Sequence, residues 1–462
     1  SWAAPEGAPE PSVSQYTARA KEAHAKLLSN RHDVESWKVL MDEVQKGQMK
    51  HLKIEVLERL LEAFPTSGRH WRMYAEALVA EGRRQDALTA VEKALPACPQ
   101  LDLWKQYLSL TNMSTSGDPV AMGKAYEKAM EGVGQDVSST GLWQEYVNYL
   151  RNLKVNNQYE DSQRKNHLRR AYQKCLQVPM HGVERFWGEY EAWEKSLDPN
   201  NVQQADMVVR TFEPKHKAAR AAYKERNKLR NNIQFPVFPG PYTGDSKEKA
   251  QARAWNELVQ YERSNPQKLP AEDLRKRVHY TYMLCLSYLP LYPDFWHQCA
   301  LWHGEIGDLK GEVKVYERAL KMLPDCLMLH LALAERLEHR GNIEGAKAVY
   351  EGLAEKHAGP MVWIHYMRFA RRTDGIGASR GVFKRARRSP NACTWHVFAD
   401  AALREFRVNK DSAVARNVFD MGLKHYGNEV QYVLSYLDFL VLLNDDNNTR
   451  VLFEKVLADD GS

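Results

Sequence analysis

The chain has 462 residues, with 65 Lys and Arg against 59 Asp and Glu, a net charge of +6, 44% apolar residues and 27% charged residues. That length exceeds what one hydrophobic core fills and that composition argues against disorder, so two domains or an elongated repeat array are expected. No stretch approaches the roughly 18 uncharged apolar residues of a membrane helix, and six cysteines without a C-x-x-C pair argue against a disulfide framework or structural zinc and fit a reduced compartment.

Residues 1–20 carry three prolines among small residues and are expected to lack fixed structure. They show neither the basic nor the apolar region of a secretory signal. A ladder of tryptophans then begins: Trp37, Trp71, Trp104, Trp143 and Trp187, spaced by 34, 33, 39 and 44. A period of this size marks a repeat architecture. Four of these open a Trp-x-x-Tyr pair (Trp71/Tyr74, Trp104/Tyr107, Trp143/Tyr146, Trp187/Tyr190), and positions three apart share one helix face. The spacing therefore predicts an amphipathic helix A with aromatic anchors. A second ladder runs out of phase, in Ala125-Tyr126-Glu127-Lys128-Ala129 and Ala171-Tyr172-Gln173-Lys174-Cys175. It predicts a helix B whose small residue lets a neighbour approach. Pro65, Pro96 and Pro179 follow helix B, where a helix must stop, and Gly82 lies in an A-to-B turn.

From Asn200 to Arg230 the pattern is one long helix, with Pro214 expected to bend it. Its segment 215–230 carries Lys215, Lys217, Arg220, Lys224, Arg226, Lys228 and Arg230 against the single acid Glu225. The Pro- and Gly-rich run that follows predicts a linker at 236–247, dividing an N-terminal half (21–235) from a C-terminal half (248–462).

Beyond it come Trp255 and Trp296, then Leu329 in the place of a tryptophan, then Trp363 and Trp395. Helix B repeats as Val315-Tyr316-Glu317-Arg318-Ala319, Val349-Tyr350-Glu351, Val382-Phe383-Lys384-Arg385-Ala386, Val418-Phe419-Asp420 and Leu452-Phe453-Glu454, with Gly422 as one of the small residues. Pro324, Gly307, Gly341 and Gly375 punctuate the units. The fold class expected is all-α, an α-solenoid of about eleven TPR-like helix pairs in two halves. The nine tryptophans are its expected anchors. Each buried aromatic covers about 150–250 Å², at most about 4–6 kcal/mol, and only stacked neighbours can bury it.

No catalytic constellation, metal set or cofactor motif emerges, so an enzyme is not expected. Gly375-Ile-Gly377-Ala-Ser-Arg-Gly381 has the wrong spacing for a dinucleotide fingerprint and follows a helix, so it reads as a turn. Glu317, Glu351 and Glu454 recur once per unit and read as internal partners of arginine. A second basic cluster holds Arg368, Arg371, Arg372, Arg380, Lys384, Arg385, Arg387 and Arg388 against Asp374. Each cluster has two readings: a surface for RNA phosphates or an acidic partner, or a solvated face paired with acids of the next unit. KRARR at 384–388 also fits a nuclear-import signal.

The paired ladders resemble the HAT (half-a-TPR) repeat of RNA-processing assemblies. Tyr366-Met-Arg-Phe-Ala-Arg-Arg372, Val382-Phe-Lys-Arg-Ala386, Gly422-Leu-Lys-His-Tyr-Gly427, Tyr432-Val-Leu-Ser-Tyr-Leu-Asp438 and the run Asn444 to Glu454 resemble the suppressor-of-forked family more particularly. That family comprises the large HAT subunit of cleavage stimulation factor and the RNA14-type subunit of yeast cleavage factor I. The resemblance implies a nuclear scaffold for pre-mRNA 3′-end cleavage and polyadenylation, homodimeric through its C-terminal half. It implies RRM-containing and WD40 subunits as partners, through a C-terminal tail beyond residue 462. It also implies contact with the polyadenylation-signal-binding factor, and RNA contact that is mostly indirect. A HAT scaffold of another particle, spliceosomal or for ribosome biogenesis, shares the repeats and is the alternative.

Overall fold

The computed structural model describes residues 13–47, 49–198, 201–356, 359–389 and 393–459. Among these residues there are 23 α-helices and two short 3-10 turns, and no strand. Helix α1 (Ala18–Ser29) comes first. Eleven A/B pairs follow in chain order. The first five are α2 (Val34–Gln45) with α3 (Lys53–Ala63), α4 (Gly68–Ala80) with α5 (Arg84–Ala94), α6 (Leu101–Ser114) with α7 (Pro119–Val133), α8 (Thr140–Asn152) with α9 (Gln158–Cys175), and α10 (Val183–Leu197) with α11 (Val202–Asn231). Then come α12 (Ser246–Arg263) with α13 (Ala271–Tyr288), α14 (Pro293–Glu305) with α15 (Leu309–Met322), and α16 (Leu327–His339) with α17 (Ile343–Glu355). The last three are α18 (Pro360–Thr373) with α19 (Ile376–Ala386), α20 (Trp395–Arg407) with α21 (Ser412–Tyr426), and α22 (Val430–Leu442) with α23 (Asp446–Asp459). A helices stack on A helices of the next pair, as in α4 on α6, α18 on α20 and α20 on α22.

The A-to-B turns follow from backbone chemistry. Gly82, Gly307, Gly341 and Gly375 all take positive φ, between 75° and 89°, the left-handed conformation that ends a helix at least cost to glycine. An Asp or Asn side chain then caps the next helix: Asp118 for α7, Asn157 for α9, Asn201 for α11, Asp308 for α15, Asn342 for α17 and Asp411 for α21. Each satisfies a helix-start N–H that would otherwise lack a partner.

Seven of the nine tryptophans (Trp37, Trp71, Trp104, Trp143, Trp255, Trp296 and Trp363) are buried, and Leu329 is fully buried in the eighth A helix. The indole does more than fill space. Trp37 Nε1 donates to Arg31 O at 2.9 Å, Trp71 to Pro65 O at 2.8 Å, Trp104 to Cys98 O at 3.2 Å and Trp296 to Pro290 O at 2.8 Å. Every acceptor lies six residues before its tryptophan, in the loop that leaves the preceding helix. A carbonyl turned into the stack needs a donor, and the indole N–H is a donor carried on a large apolar body. Where Leu329 replaces the tryptophan, His330 Nε2 donates to Pro324 O at 2.8 Å, again six residues back.

The other two tryptophans depart from the expected role. Trp187 is half-buried and stacks on His216 at 4.8 Å, while Phe186 and Tyr190 fill the core of α10. Trp395 is half-buried at the start of α20, one turn before the inward position, which Phe398 occupies. The buried set Val397, Phe398, Ala401 and Ala402 matches Val362, Trp363, Tyr366 and Met367 one unit earlier. Phe398 is thus the true counterpart of Trp363.

Two sequence expectations about domain limits change. Within residues 1–20, positions 13–20 are structured: Tyr16 is buried, its hydroxyl accepts from Arg59 Nη1 at 2.9 Å, and Ala20 is fully buried. Residues 1–12 lie outside the described residues. The chain divides into two compact units, 1–299 and 300–462, so the division falls within α14 and not at 236–247. The physical reason is the aromatics in the expected linker. Phe238 packs edge-on to Phe64 at 5.5 Å and against His70 at 4.8 Å, and Ser67 Oγ donates to Val237 O at 3.1 Å. Phe235 meets Trp255 and Tyr288. Residues 235–239 form a strap bound along the first unit.

Candidate interaction surfaces

The first basic cluster lies on the second half of α11, and the structure splits it. Arg226 is buried; its Nε lies 2.5 Å from Glu262 Oε1 on α12, and its Nη1 donates to Gln135 O at 2.8 Å. Arg230 Nη1 lies 2.9 Å from Asp136 Oδ1 in the loop after α7. Tyr280 of α13 donates to Asp136 Oδ2 at 2.5 Å, and Ser138 N–H donates to Oδ1 at 2.6 Å. Arg277 of α13 adds a bond to Gln135 Oε1 at 2.6 Å. Burial works against the Asp136 charge, but the Arg230 guanidinium, the Tyr280 hydroxyl and the Ser138 N–H together hold its carboxyl below the usual range. Burial, reinforced by Arg226, brings the Arg277 guanidinium down to about 10. This network ties α11 to α12, α13 and the α7 loop. Arg226 and Arg230 thus have their charge answered by acids within the first unit. Of the rest, Arg220 pairs with Glu184 and Lys217 with Glu213. Lys228 lies 3.7 Å from Glu225. Lys215 and Lys224 are exposed and form no ion pair among the described residues.

The second cluster is spent in the same way. Arg385 grips Glu351 with both nitrogens, at 2.8 and 2.6 Å, and Tyr366 donates to the same carboxylate. Bonding from Arg385, then from Tyr366, holds the Glu351 carboxyl down against its partial burial. Arg372 grips Glu338 at 2.6 and 2.7 Å, and Arg380 grips Glu405 at 2.8 Å twice. Arg368 pairs with Asp400, and Arg371 donates to Asn409 at 2.6 Å. Arg380 and Arg385 thus have partners on neighbouring helices. Lys384, Arg387 and Arg388 are exposed and form no ion pair among the described residues. The recurring glutamate has its clearest role at Glu351. Among the described residues no group of three or more His, Cys, Asp or Glu could hold a metal ion, and no helix is long and apolar enough to cross a membrane.

The surface that charge reading did not mark is apolar. Helix α22 buries Tyr432, Val433, Tyr436, Phe439 and Leu440 on one face. It exposes Val430, Leu434, Val441 and Leu442, and α23 adds exposed Val451 and Phe453. Six large apolar side chains on two consecutive helices are more than the scattered singles of an ordinary surface.

The helical stack, its A/B register and its internal Arg–acid bridges invite comparison with known proteins. The family model described as suppressor of forked protein matches residues 18–461. The chain belongs to the suppressor of forked family. Cleavage stimulation factor subunit 77 of Arabidopsis thaliana is 38% identical over 407 residues, covering 87% of this chain and 55% of that protein. Protein suppressor of forked of Drosophila melanogaster is 29% identical, covering 93% of this chain and 62% of that protein. The mRNA 3′-end-processing protein rna14 of Schizosaccharomyces pombe is 26% identical, covering 94% and 65%. The chain therefore spans between 55% and 65% of the length of these relatives. A crystal structure of CstF-77 superposes with a TM-score of 0.59 at 19% identity, covering 84% of this chain and 80% of that one. That likeness supports the fold. Among the relatives of this suppressor of forked chain, one is by name a cleavage stimulation factor subunit and one an mRNA 3′-end-processing protein.

Proposed function

We propose that the chain is a homodimeric scaffold of the pre-mRNA 3′-end cleavage and polyadenylation machinery, working in the nucleus. The observation that carries this reading is the family match, which runs from residue 18 to residue 461. The apolar side chains on α22 and α23 support the dimer, and a second copy of the chain is the occupant we assign to them. A run of exposed apolar side chains on two consecutive helices favours a covering partner, and a two-fold contact between like patches is the simplest closed one. RNA contact is mostly indirect, since most of both basic clusters is spent on internal pairs. RRM-containing and WD40 subunits and the polyadenylation-signal-binding factor are the partners that fit the scaffold role, which needs no catalytic group.

Sedimentation equilibrium over a dilution series at low and high salt tests the dimer. A species of twice 53.2 kDa that persists at high salt is expected, because an apolar interface is not screened. Val430→Asp with Leu434→Asp should convert it to monomer. A monomer for the unsubstituted chain at all concentrations sinks the dimer reading. Affinity purification from nuclear extract tests the machinery. Recovery of cleavage factors is expected; recovery of only spliceosomal or ribosome-assembly proteins would favour the alternative HAT scaffold and overturn the 3′-end reading.

A further inference from the structure

Within the first unit, a cleft of about 310 Å³ opens between the starts of α4 and α6 and the strap at 235–239. Two helix N-termini border it, on helices of 13 and 14 residues. Neither is capped by its own side chain. The Ser67 hydroxyl is turned to the strap carbonyl of Val237, and Gln100 Nε2 donates to Thr66 O and Ser287 Oγ. The N–H groups that open each helix carry partial positive charge, so both ends favour an anion in the cleft. Arg69, exposed, and Arg72, half-exposed, line the same cleft. The acid in the lining is Asp102, largely exposed and 3.8 Å from Arg72.

A second observation points to a ligand independently of the helix ends. Two buried polar atoms in the lining have no hydrogen-bond partner, Thr66 Oγ1 and Gln100 Oε1, and buried Arg72 Nε has only a long ion pair to Glu76 Oε1 at 3.5 Å. Thr66 is only 5% exposed. Buried polar groups are nearly always paired, and two orphans beside a weakly met guanidinium in one cleft call for a partner. Their chemistry is mixed. The Thr66 hydroxyl and Arg72 Nε–H can donate, while Gln100 Oε1 can only accept. An isolated anion would answer the donors and leave Gln100 Oε1 unmet. A peptide offers both, an acidic side chain and a backbone N–H. The strap shows that this surface holds extended chain, because Ser67 already grips it by a backbone carbonyl. Its side chains Phe235 and Val237 give the cleft an apolar wall. Gly68 leaves room for the Gln100 amide, since a Cβ there would meet Gln100 Oε1 at 2.5 Å.

We propose that this cleft binds an extended acidic peptide of a protein partner, alongside the strap. A carboxylate of the peptide lies on Arg69, Arg72 and the starts of α4 and α6; a backbone N–H meets Gln100 Oε1; an aliphatic side chain packs on the strap. The site is remote in sequence from α22 and α23 and does not rest on the dimer or on the 3′-end reading.

The test is fluorescence anisotropy with the whole chain and a labelled, capped peptide of about ten residues alternating Asp with Leu and Pro. The same peptide with Lys for Asp, and poly-uridine RNA, are run beside it. Arg69→Glu, at an exposed position, should weaken the acidic peptide about tenfold. Asp102→Asn, which removes the competing carboxylate, should tighten it about two- to threefold. Both effects should shrink at high salt, and the Lys peptide should not bind. Circular dichroism checks that both variants remain folded. Absence of acidic-peptide binding, or binding that ignores both substitutions, overturns the proposal. So does RNA binding with the same Arg69 dependence, which would make the cleft a nucleic-acid site.

Discussion

Gly422 and Gly381 are both helical glycines in the second unit, and the same substitution should act on them in opposite directions. Gly381 lies inside α19, is exposed, and a Cβ there would meet nothing within 4 Å. Gly381→Ala should stabilise the chain by roughly 0.5–1 kcal/mol, because alanine loses less backbone freedom on entering a helix. Gly422 is buried in α21, and a Cβ there would run into the Tyr432 hydroxyl, lie 2.6 Å from Tyr432 Cζ and 3.1 Å from Phe398 Cδ1. Tyr432 cannot swing away freely: it is fully buried and its hydroxyl donates to Phe419 O at 2.8 Å. Overpacking costs about 1–3 kcal/mol, and breaking the tyrosine bond about 1 more, against the same propensity gain of about 1. The net for Gly422→Ala is a loss of about 1–3 kcal/mol. A repeat array need not unfold in one step, so a single melting temperature is a poor readout. Native-state hydrogen exchange of the α21 and α22 amides reads the effect locally. Protection that rises in Gly422→Ala as it does in Gly381→Ala would refute the packing of Tyr432 over Gly422.

Trp37→Phe should cost about 1–2 kcal/mol and Trp37→Ala about 3–5, since the first loses the bond to Arg31 O and the second also empties a core site; equal stability of Trp37→Phe and the unsubstituted chain in exchange of α2 would show that the indole bond contributes nothing. Arg226→Ala should destabilise the first unit by up to about 3–5 kcal/mol, because it leaves buried Glu262 with only Arg277 at 3.7 Å, yet leave any RNA affinity unchanged; a filter-binding assay that moves before stability does would contradict the internal role. Burial, then Arg69, holds the His70 imidazole down at about 4 in the folded chain. The unfolded chain therefore takes the proton first as pH falls, so His70 favours folding fully above pH 6.5 and loses roughly 3 kcal/mol of that by pH 4. His70→Gln should flatten the stability–pH slope in that window, and an unchanged slope measured by urea titration would sink the assignment. Arg387→Glu with Arg388→Glu should lower the salt slope of single-stranded RNA binding by about 1.4 if both touch phosphates; a slope that does not move would show that these free charges serve another partner.

Much of the fold was legible because a solenoid repeats its physics. The tryptophan and helix-B ladders placed the helix pairs, and Gly82, Gly307, Gly341 and Gly375 marked turns that demand positive φ. Other turns solve the same demand without glycine, at Lys410 and Asn444, so no glycine signal announced them. Trp395 misled because a tryptophan near a helix start keeps its spacing even when it sits one turn early; only the neighbouring Val397-Phe398 pair reveals the inward register. The strap misled for a compositional reason. Proline and glycine between 236 and 247 read as a linker, while Phe235 and Phe238 carry the packing that binds it. The indole bonds left a trace that reading for hydrophobicity passes over: Pro65, Pro290 and Pro324 stand six residues before Trp71, Trp296 and His330. The acidic-peptide cleft had no linear signature, since Thr66, Arg69, Arg72 and Gln100 meet the strap only through the fold.

The charge clusters show why linear charge is a poor guide to surface charge in such a protein. In a stacked array, the neighbour that matters is the residue one period away. Arg372 pairs with Glu338 and Arg385 with Glu351, each at an offset of 34, and Arg368 with Asp400 at 32. A run of arginines in sequence is therefore a set of separate bridges, with Arg372 and Arg385 reaching back to α16 and α17 and Arg368 and Arg380 reaching forward to α20. The three basic residues of this cluster that form no ion pair among the described residues have no acid at that offset, although Arg387 donates to Met421 Sδ at 2.6 Å. Counting 34 residues either way from Lys384 meets Tyr350 and Val418; from Arg387, Leu353 and Met421; from Arg388, Ala354 and Gly422. None of these is acidic. Offset alone is no rule, since Arg380 reaches Glu405 25 residues on and Arg230 reaches Asp136 94 residues back, so the fold decides which charges remain for a partner.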